Sequence, residues 1–327
     1  MKICVVGAGA IGGLMGAKLS LAGEEVTLIA RGPHLAAIQQ HGLKLIMQDG
    51  TELVARDAKA TSEFDRVGPT DIVILALKAH QIEAVAERIP ALFGSETVVV
   101  TVQNGIPWWY FHKSGGDLEG TRLESLDPHG VIERHIPYDG VIGSIAYPAS
   151  EKPEPGVIKH IEGNRFPVAE LDNSKSERVK RIAAVFTNAG FKSKVSTDIR
   201  SQIWLKAWGN LSFNPISALT RATLEEICTF PATRKLAADM MKEAQEIAEK
   251  LDVTFRLTIE QRIEGAERVG AHKTSMLQDV ESCRALEIEA LIGVIAELGR
   301  LTNTATPSID AVYALTKLLS RGLADLR

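Results

Sequence analysis

Along the first hundred residues, apolar positions fall into short continuous runs separated by stretches with helical spacing. Lys2–Val6 is apolar after its first residue and partly β-branched, the pattern of a parallel strand buried on both faces. Gly7 ends it. Residues 10–22 carry Ile11, Leu14, Met15 and Leu19 at helical spacing and close at Gly23, after which 26–30 returns to a strand pattern. These pieces predict one βαβ unit. Two more buried-strand runs, 71–77 and 97–102, flank a helical pattern over 81–92, so the alternation predicts a parallel sheet covered by helices. Weaker alternation over 43–55, centred on Asp49-Gly50, predicts a hairpin with a type I′ turn inserted into that sheet. Residues 108–139 show no period and read as loops that could close over a site. Short antiparallel strands are expected over 141–171, followed by a helix over 176–188 and a strand over 191–195. Beyond 198 the strand-like runs vanish and a 3.6-residue period continues almost to Arg327. The expected organisation is an α/β domain over 1–197 and an all-helical domain over 198–327. A helix over 285–301 is apolar on more than one face, which suits a core or a homodimer interface in the helical domain.

The length of 327 residues agrees with two domains, and 45% hydrophobic with 24% charged residues is ordinary for a globular chain. A net charge of −4 offers no basic footprint for nucleic acid. Cys4, Cys228 and Cys283 are an odd, widely spaced set without disulfide or metal-ligand spacing, which points to a reducing cytoplasm and no metal. The amino terminus enters a strand at once and no run approaches about 18 apolar residues, so neither a signal peptide nor a membrane span is expected.

Gly7-Ala8-Gly9-Ala10-Ile11-Gly12 lies between a predicted strand and a predicted helix, the context in which G-x-G-x-x-G binds a dinucleotide. The first glycine permits the turn, the second lets backbone approach a pyrophosphate, and the third allows helix and strand to pack closely. The first domain is therefore expected to be of the Rossmann type. Enzymes that use NAD place an acidic residue at the end of the second strand, but here that place holds Arg31, suited to a 2′-phosphate and hence to NADP(H). Glu24 and Glu25 precede the strand and so belong to its other end. Lys78 and the Gln103-Asn104-Gly105 turn follow two further predicted strands, at the carboxyl ends where open sheets bind ligands. Taken alone, a lysine leaving a strand is more often just solvated, and Asn104-Gly105 is commoner as a turn than as a ligand site.

In the helical domain, Lys206, Asn210 and Asn214 are spaced i, i+4, i+8 and form one stripe, while Trp204, Trp208 and Leu211 pack elsewhere. A desolvated lysine beside neutral amides suits an acid catalyst; the alternative is a snorkelling lysine with asparagines bonded locally. Ser275 with Gln278 reads as a capping box, and the same helix start could hold a substrate carboxylate. Glu287 is expected three turns along that helix.

With these motifs the chain resembles the ketopantoate reductase family over nearly its whole length. The matching pieces are Gly7 to Gly12, Arg31, Leu77-Lys78, Gln103-Asn104-Gly105, Pro155-Gly156, Lys206 with Asn210 and Asn214-Pro215, and Ser275 to Asp279 before Glu287. The resemblance implies a Rossmann domain joined to a helical domain like that of 6-phosphogluconate dehydrogenase, with the site in the cleft between them. It implies NADPH-dependent reduction of 2-dehydropantoate (ketopantoate) to pantoate, a step toward pantothenate and coenzyme A. Under it, Lys206 is the catalytic general acid, Asn104, Asn210, Asn214 and Ser275 bind substrate, and Glu287 is a carboxylate near the nicotinamide ribose. Gly7, Ala8, Gly9, Ala10, Ile11, Gly12, Arg31, Lys78, Gln103, Asn104 and Ala149 line the cofactor.

Three features depart from the family pattern. Ile106-Pro-Trp-Trp-Tyr110 follows Asn104-Gly105 where smaller residues are usual, Leu224 stands where some members use asparagine, and Cys283-Arg-Ala-Leu-Glu-Ile-Glu289 differs around Glu287. Aromatic side chains beside Asn104 would narrow the pocket or favour a larger, more apolar 2-keto acid. The readings in play are thus a ketopantoate reductase, a reductase of another 2-keto acid, and a non-catalytic NADPH sensor.

Overall fold

The computed structural model describes residues 1–325. Lys2–Val6 forms strand β1, and Ile3 to Val6 are buried because the strand has parallel neighbours on both sides: β2 (Glu25–Ile29) and β6 (Thr70–Leu75). Helix α1 (Ala10–Leu21) turns Leu14, Met15, Ala17 and Leu19 into the core. Helix α2 (Gly32–His41) follows β2 directly. Further strands are β3 (Leu43–Ile46), β4 (Glu52–Ala55), β5 (Lys59–Thr61), β7 (Phe93–Thr101), β8 (Val141–Ser144), β9 (Ala149–Glu154), β10 (Val157–Glu162) and β11 (Val168–Ala169). Seven of them form one sheet in the order β11-β8-β7-β6-β1-β2-β5. All its pairs are parallel except β11 with β8. This is the expected α/β sheet of Rossmann type.

The structure corrects several local expectations. The hairpin at Asp49-Gly50 does not enter the main sheet but joins a four-stranded sheet, β4-β3-β10-β9, that packs on α1. Its turn is not type I′, since only Gly50 has positive φ; Gly50 N–H donates to Met47 O and Asp49 Oδ1 accepts from Thr51 N–H. Not all strands after 141 are antiparallel, because β8 runs parallel to β7 and β10 parallel to β3. The helix expected over 81–92 is three single turns: a 3₁₀ turn at Ala79–Gln81, α3 (Glu83–Ala86) and a 3₁₀ turn at Ile89–Leu92. Pro90 has no N–H to continue a helix and disfavours helical geometry at Ile89. Residues 191–195 run beside 164–168 with backbone hydrogen bonds but form only isolated bridges at Lys192 and Val195. Between the bridges Phe166 O accepts from Ser193 Oγ at 2.7 Å in place of a backbone rung.

Two short helical elements complete the α/β part, α4 (Val131–His135) and α5 (Glu177–Asn188), the latter capped by Ser176 as its pattern requires. The chain then becomes helical: α6 (Ile199–Thr220), α7 (Leu224–Thr229), α8 (Pro231–Lys250), α9 (Ile259–Glu267), α10 (Ser275–Glu281), α11 (Val294–Leu301) and α12 (Pro307–Ala324). The long helix expected from 285 begins only at Ile288 and opens with a π-helical turn at Glu289–Gly293. Inside that widened turn, Ala290 O accepts a hydrogen bond from Ile106 N–H at 3.2 Å. By contacts, Met1–Gln103, Trp108–Arg122 and His129–Ile199 form one compact unit, and Asn104–Pro107, Leu123–Pro128 and Arg200–Arg327 the other. Among the described residues no helix is long and apolar enough to cross a membrane.

Candidate active site

In the first unit, register aligns the carboxyl ends of four parallel strands. Val6 lies opposite both Ile29 and Leu75, and Leu75 opposite Thr101. The residues that follow, Gly7, Arg31, Lys78 and Gln103, therefore leave the sheet along one edge. The three motif glycines have distinct environments. Gly7 has φ +102°, Gly12 sits so close that a Cβ would lie 2.0 Å from Gly7 O, and a Cβ on Gly9 would meet nothing within 4 Å. The space left open is thus the one a pyrophosphate would need. Gly9 begins α1 without a side-chain cap, so the N–H groups of Gly9, Ala10, Ile11 and Gly12 have no intrahelical acceptor. Ala8 is buried, and its N–H donates to Ile29 O at 3.2 Å.

Arg31 is the exposed N-cap of α2 and makes no ion pair among the described residues. Lys78 is half-buried, with its backbone N–H donating to Gln81 Oε1. Gln103 Nε2 donates to Leu75 O at 2.6 Å, clasping two strand ends together, while its Oε1 is buried without a partner. Ala149 opens β9 in the small sheet, which reaches this region by packing against α1. Uncapped amides, an open cradle and an orphaned buried oxygen together fit a bound dinucleotide.

In the second unit, α6 carries the polar stripe. Trp204, Trp208 and Leu211 are fully buried, and Trp208 Nε1 donates to Met241 O at 2.6 Å, which fixes the rotation of the helix against α8. The opposite stripe then presents Lys206, Asn210 and Asn214. Lys206 Nζ donates to Asn104 Oδ1 at 2.6 Å. Burial pushes the Lys206 ammonium down to about 8, with the charge of Glu287 acting in the opposite direction. Asn214 is only 6% exposed and Asn210 half-buried, and among the described residues neither amide has a hydrogen-bond partner. Two amides left available beside a lysine with a lowered pKa suit a polar ligand.

Asn104 is delivered by a tight backbone approach. Gly105 has φ +80°, and a Cβ there would lie 1.9 Å from Ala290 O. Hydrogen bond and charge therefore bring Asn104, Lys206 and Glu287 together, with Asn210 and Asn214 on the same stripe. Two positional expectations are corrected. The cap of α10 is Thr274, whose Oγ1 accepts from Leu277 N–H, so Ser275 is the first helical residue and its hydroxyl is exposed. Glu287 does not share that helix, because the chain reverses at Cys283 with φ +49° and an Arg284–Asp279 ion pair folds the connector back. The aromatic run is likewise not a set of exposed pocket walls: Trp108, Trp109, Tyr110 and Phe111 are each at most 4% exposed. Trp109 donates to Thr101 Oγ1 and its ring fills the space over Gly143.

Two residues escaped the sequence reading. His34 is buried and bonded to the glycine loop, for which the linear pattern held no sign. Arg262 lies over Phe213 and against Gly209 of α6, with its guanidinium held below its ordinary range by burial. A mid-helix glycine costs about 1 kcal/mol, so Gly209 was a legible trace of that close approach. No group of three or more His, Cys, Asp or Glu among the described residues is placed to hold a metal ion.

The sequence profile described as ketopantoate reductase PanE/ApbA matches residues 3–173, and its C-terminal counterpart matches 198–320. A 2-dehydropantoate 2-reductase of Mesorhizobium japonicum is 52% identical over 321 residues, covering 98% of each chain. Among solved structures, a protein of Ralstonia solanacearum MolK2, provisionally described as a ketopantoate reductase, superposes with a TM-score of 0.94 at 39% identity over 98% of both chains. A D-mandelate dehydrogenase bound to NADH and anilino(oxo)acetate superposes with a TM-score of 0.84 at 25% identity over 99% of both chains.

Proposed function

The chain belongs to the ketopantoate reductase family, and on that premise we propose that it reduces 2-dehydropantoate to pantoate with NADPH, Lys206 serving as the general acid. The observation that carries the chemistry is the half-buried Lys206, lowered to about 8, bonded to Asn104 and sharing its helix face with two amides that have no partner among the described residues. In this reading residues 1–197 hold the dinucleotide and residues 198–327 supply most of the substrate site, to which Asn104 is tied by its bond from Lys206.

When bound, the nicotinamide supplies a hydride to the carbonyl carbon. The carbonyl oxygen then gathers negative charge, and Lys206 Nζ hands it a proton. An ammonium has three N–H donors, so one can stay on Asn104 Oδ1 while another meets the oxygen. A pKa near 8 keeps the group charged at neutral pH yet makes the proton easier to give than from an ordinary lysine. The charge of Glu287 favours the protonated form between turnovers. Asn210 and Asn214 offer amide donors to the substrate's oxygens, and the exposed hydroxyl of Ser275, freed from capping duty, can add another.

The direct test is NADPH consumption by the purified protein with ketopantoate, run beside smaller keto acids and phenylglyoxylate, the keto acid matching a mandelate. Saturable turnover with ketopantoate preferred in kcat/KM is the expected result. Preference for phenylglyoxylate would transfer the protein to a different reductase, and NADPH binding without turnover of any keto acid would mean a sensor.

Cofactor choice has its own test. Arg31 is exposed at the end of β2 and among the described residues no carboxylate holds it, so it is available to a 2′-phosphate. Arg31→Ala should weaken NADPH binding by about tenfold or more, the scale of a lost charge-assisted hydrogen bond, and leave NADH nearly unchanged. Equal weakening of both dinucleotides would remove the 2′-phosphate role.

A further inference from the structure

His34 lies in the first turn of α2, three residues after Arg31, and is only 8% exposed. Both ring nitrogens are engaged. Gly156 N–H, in the turn between β9 and β10, donates to His34 Nδ1 at 2.8 Å, and His34 Nε2 lies 2.7 Å from Ala8 O. A backbone N–H can only donate, so Nδ1 must carry a lone pair, and the ring proton must sit on Nε2 and be donated to Ala8 O. The hydrogen bonds thus assign a neutral imidazole of one tautomer. Burial and the charge of Lys152 also hold its pKa below the ordinary histidine value, against the opposing pull of the Ala8 bond.

Ala8 is held from two sides, its N–H by Ile29 O of β2 and its carbonyl by His34. In a trans peptide the carbonyl and the following N–H point in opposite directions. Pulling Ala8 O toward α2 therefore aims the Gly9 N–H away from α2. Gly9 is the motif glycine around which a Cβ would find nothing within 4 Å. The Gly156 turn is seated on the same helix, since a Cβ there would lie 2.9 Å from Ala37 Cβ.

We infer that His34 is a positioning residue that clasps the glycine loop, α2 and the β9–β10 turn, and so presets the Gly9 N–H for the pyrophosphate of the cofactor. The inference rests on the dinucleotide reading and goes beyond it, because His34 belongs to no part of the glycine motif. His34 touches no reacting atom in this scheme, so its effect should appear in binding rather than in the chemical step. Glutamine can offer both an acceptor and a donor in place of the two ring nitrogens; alanine offers neither.

The test measures binding by the full-length protein of NADPH, by fluorescence, and of 2′-AMP, which carries the 2′-phosphate but no pyrophosphate, by calorimetry. His34→Ala should raise the Kd for NADPH by about tenfold, the scale of one lost hydrogen bond to a charged group, while His34→Gln should recover most of it. The Kd for 2′-AMP, the kcat at saturating NADPH and the KM for ketopantoate should each change less than about twofold. If 2′-AMP weakens as much as NADPH, if NADPH binds unchanged in His34→Ala, or if His34→Gln binds NADPH no better than His34→Ala, the inference is overturned. Should His34→Ala not fold, His34→Leu, which fills similar space but offers neither donor nor acceptor, takes its place: a selective loss for NADPH over 2′-AMP supports the clasp and no selective change overturns it. Wild-type protein that binds neither probe would instead overturn the dinucleotide reading itself.

Discussion

Lys206→Ala should lower kcat for ketopantoate by about 10²-fold or more, the usual contribution of a positioned general acid, with the Kd for NADPH unchanged. The physical basis is that among the described residues no other cationic group is bonded to Asn104 Oδ1, so nothing replaces the ammonium as the source of the proton. The pH dependence follows from the direction of the shift. Burial favours the neutral amine and lowers the pKa to about 8, while the acid role needs the charged form, so kcat/KM should fall as pH rises through about 8. Glu287 holds the pKa up, so Glu287→Gln should move this alkaline limb to lower pH. Steady-state pH profiles of the three proteins check both statements. A Lys206→Ala enzyme with wild-type kcat, or an alkaline limb surviving in it, would show that the proton comes from elsewhere.

Gly105→Ala should cost about 2–3 kcal/mol in stability, among the larger effects of single substitutions, and lower the melting temperature by about 3–4 °C. Two independent reasons combine. The residue has φ +80°, which an alanine adopts at a cost, and its Cβ would sit 1.9 Å from Ala290 O and 2.7 Å from Ala290 C. Those are backbone atoms of the π-helical turn, which cannot step aside as a flexible side chain would. Relief requires the loop to lift away, breaking the bond from Ile106 N–H to Ala290 O and drawing Asn104 from Lys206. A fall in kcat/KM for ketopantoate should therefore accompany the lower melting temperature. Calorimetry and kinetics on one preparation test the pair, and an enzyme of normal stability and activity would mean that Gly105 has room the geometry denies.

The parallel sheet and the glycine loop were readable from the linear chain because their causes are local. A strand buried on both faces has to be apolar throughout, as Ile3 to Val6 are, and a turn that admits a phosphate has to use glycine where a Cβ would collide. The stripe of Lys206, Asn210 and Asn214 was legible for the same reason, since helical spacing alone puts those side chains on one face. Local chemistry that the pattern overlooked also explains two failures: Pro90 divides an apparent helix, and the Ser193 hydroxyl takes Phe166 O where a backbone rung would join two bridges.

Other features depend on partners remote in sequence, and no local pattern encodes them. Asn104 meets Lys206 across 102 positions, and His34 meets Gly156 across 122. Whether Lys206 is a solvated cation or an acid poised near 8 depends on the desolvation around α6 and on Glu287, which lies on a connector that the helical period had absorbed into α10. The role of Trp109 was decided the same way, by Thr101 and Gly143 closing around it as core. Periodicity and glycine placement specify the secondary elements and the kind of ligand the loop admits, because both act between near neighbours. Burial, pKa and hydrogen-bond partnership are set only when distant segments exclude water together, so the chemical state of the site belongs to the tertiary structure.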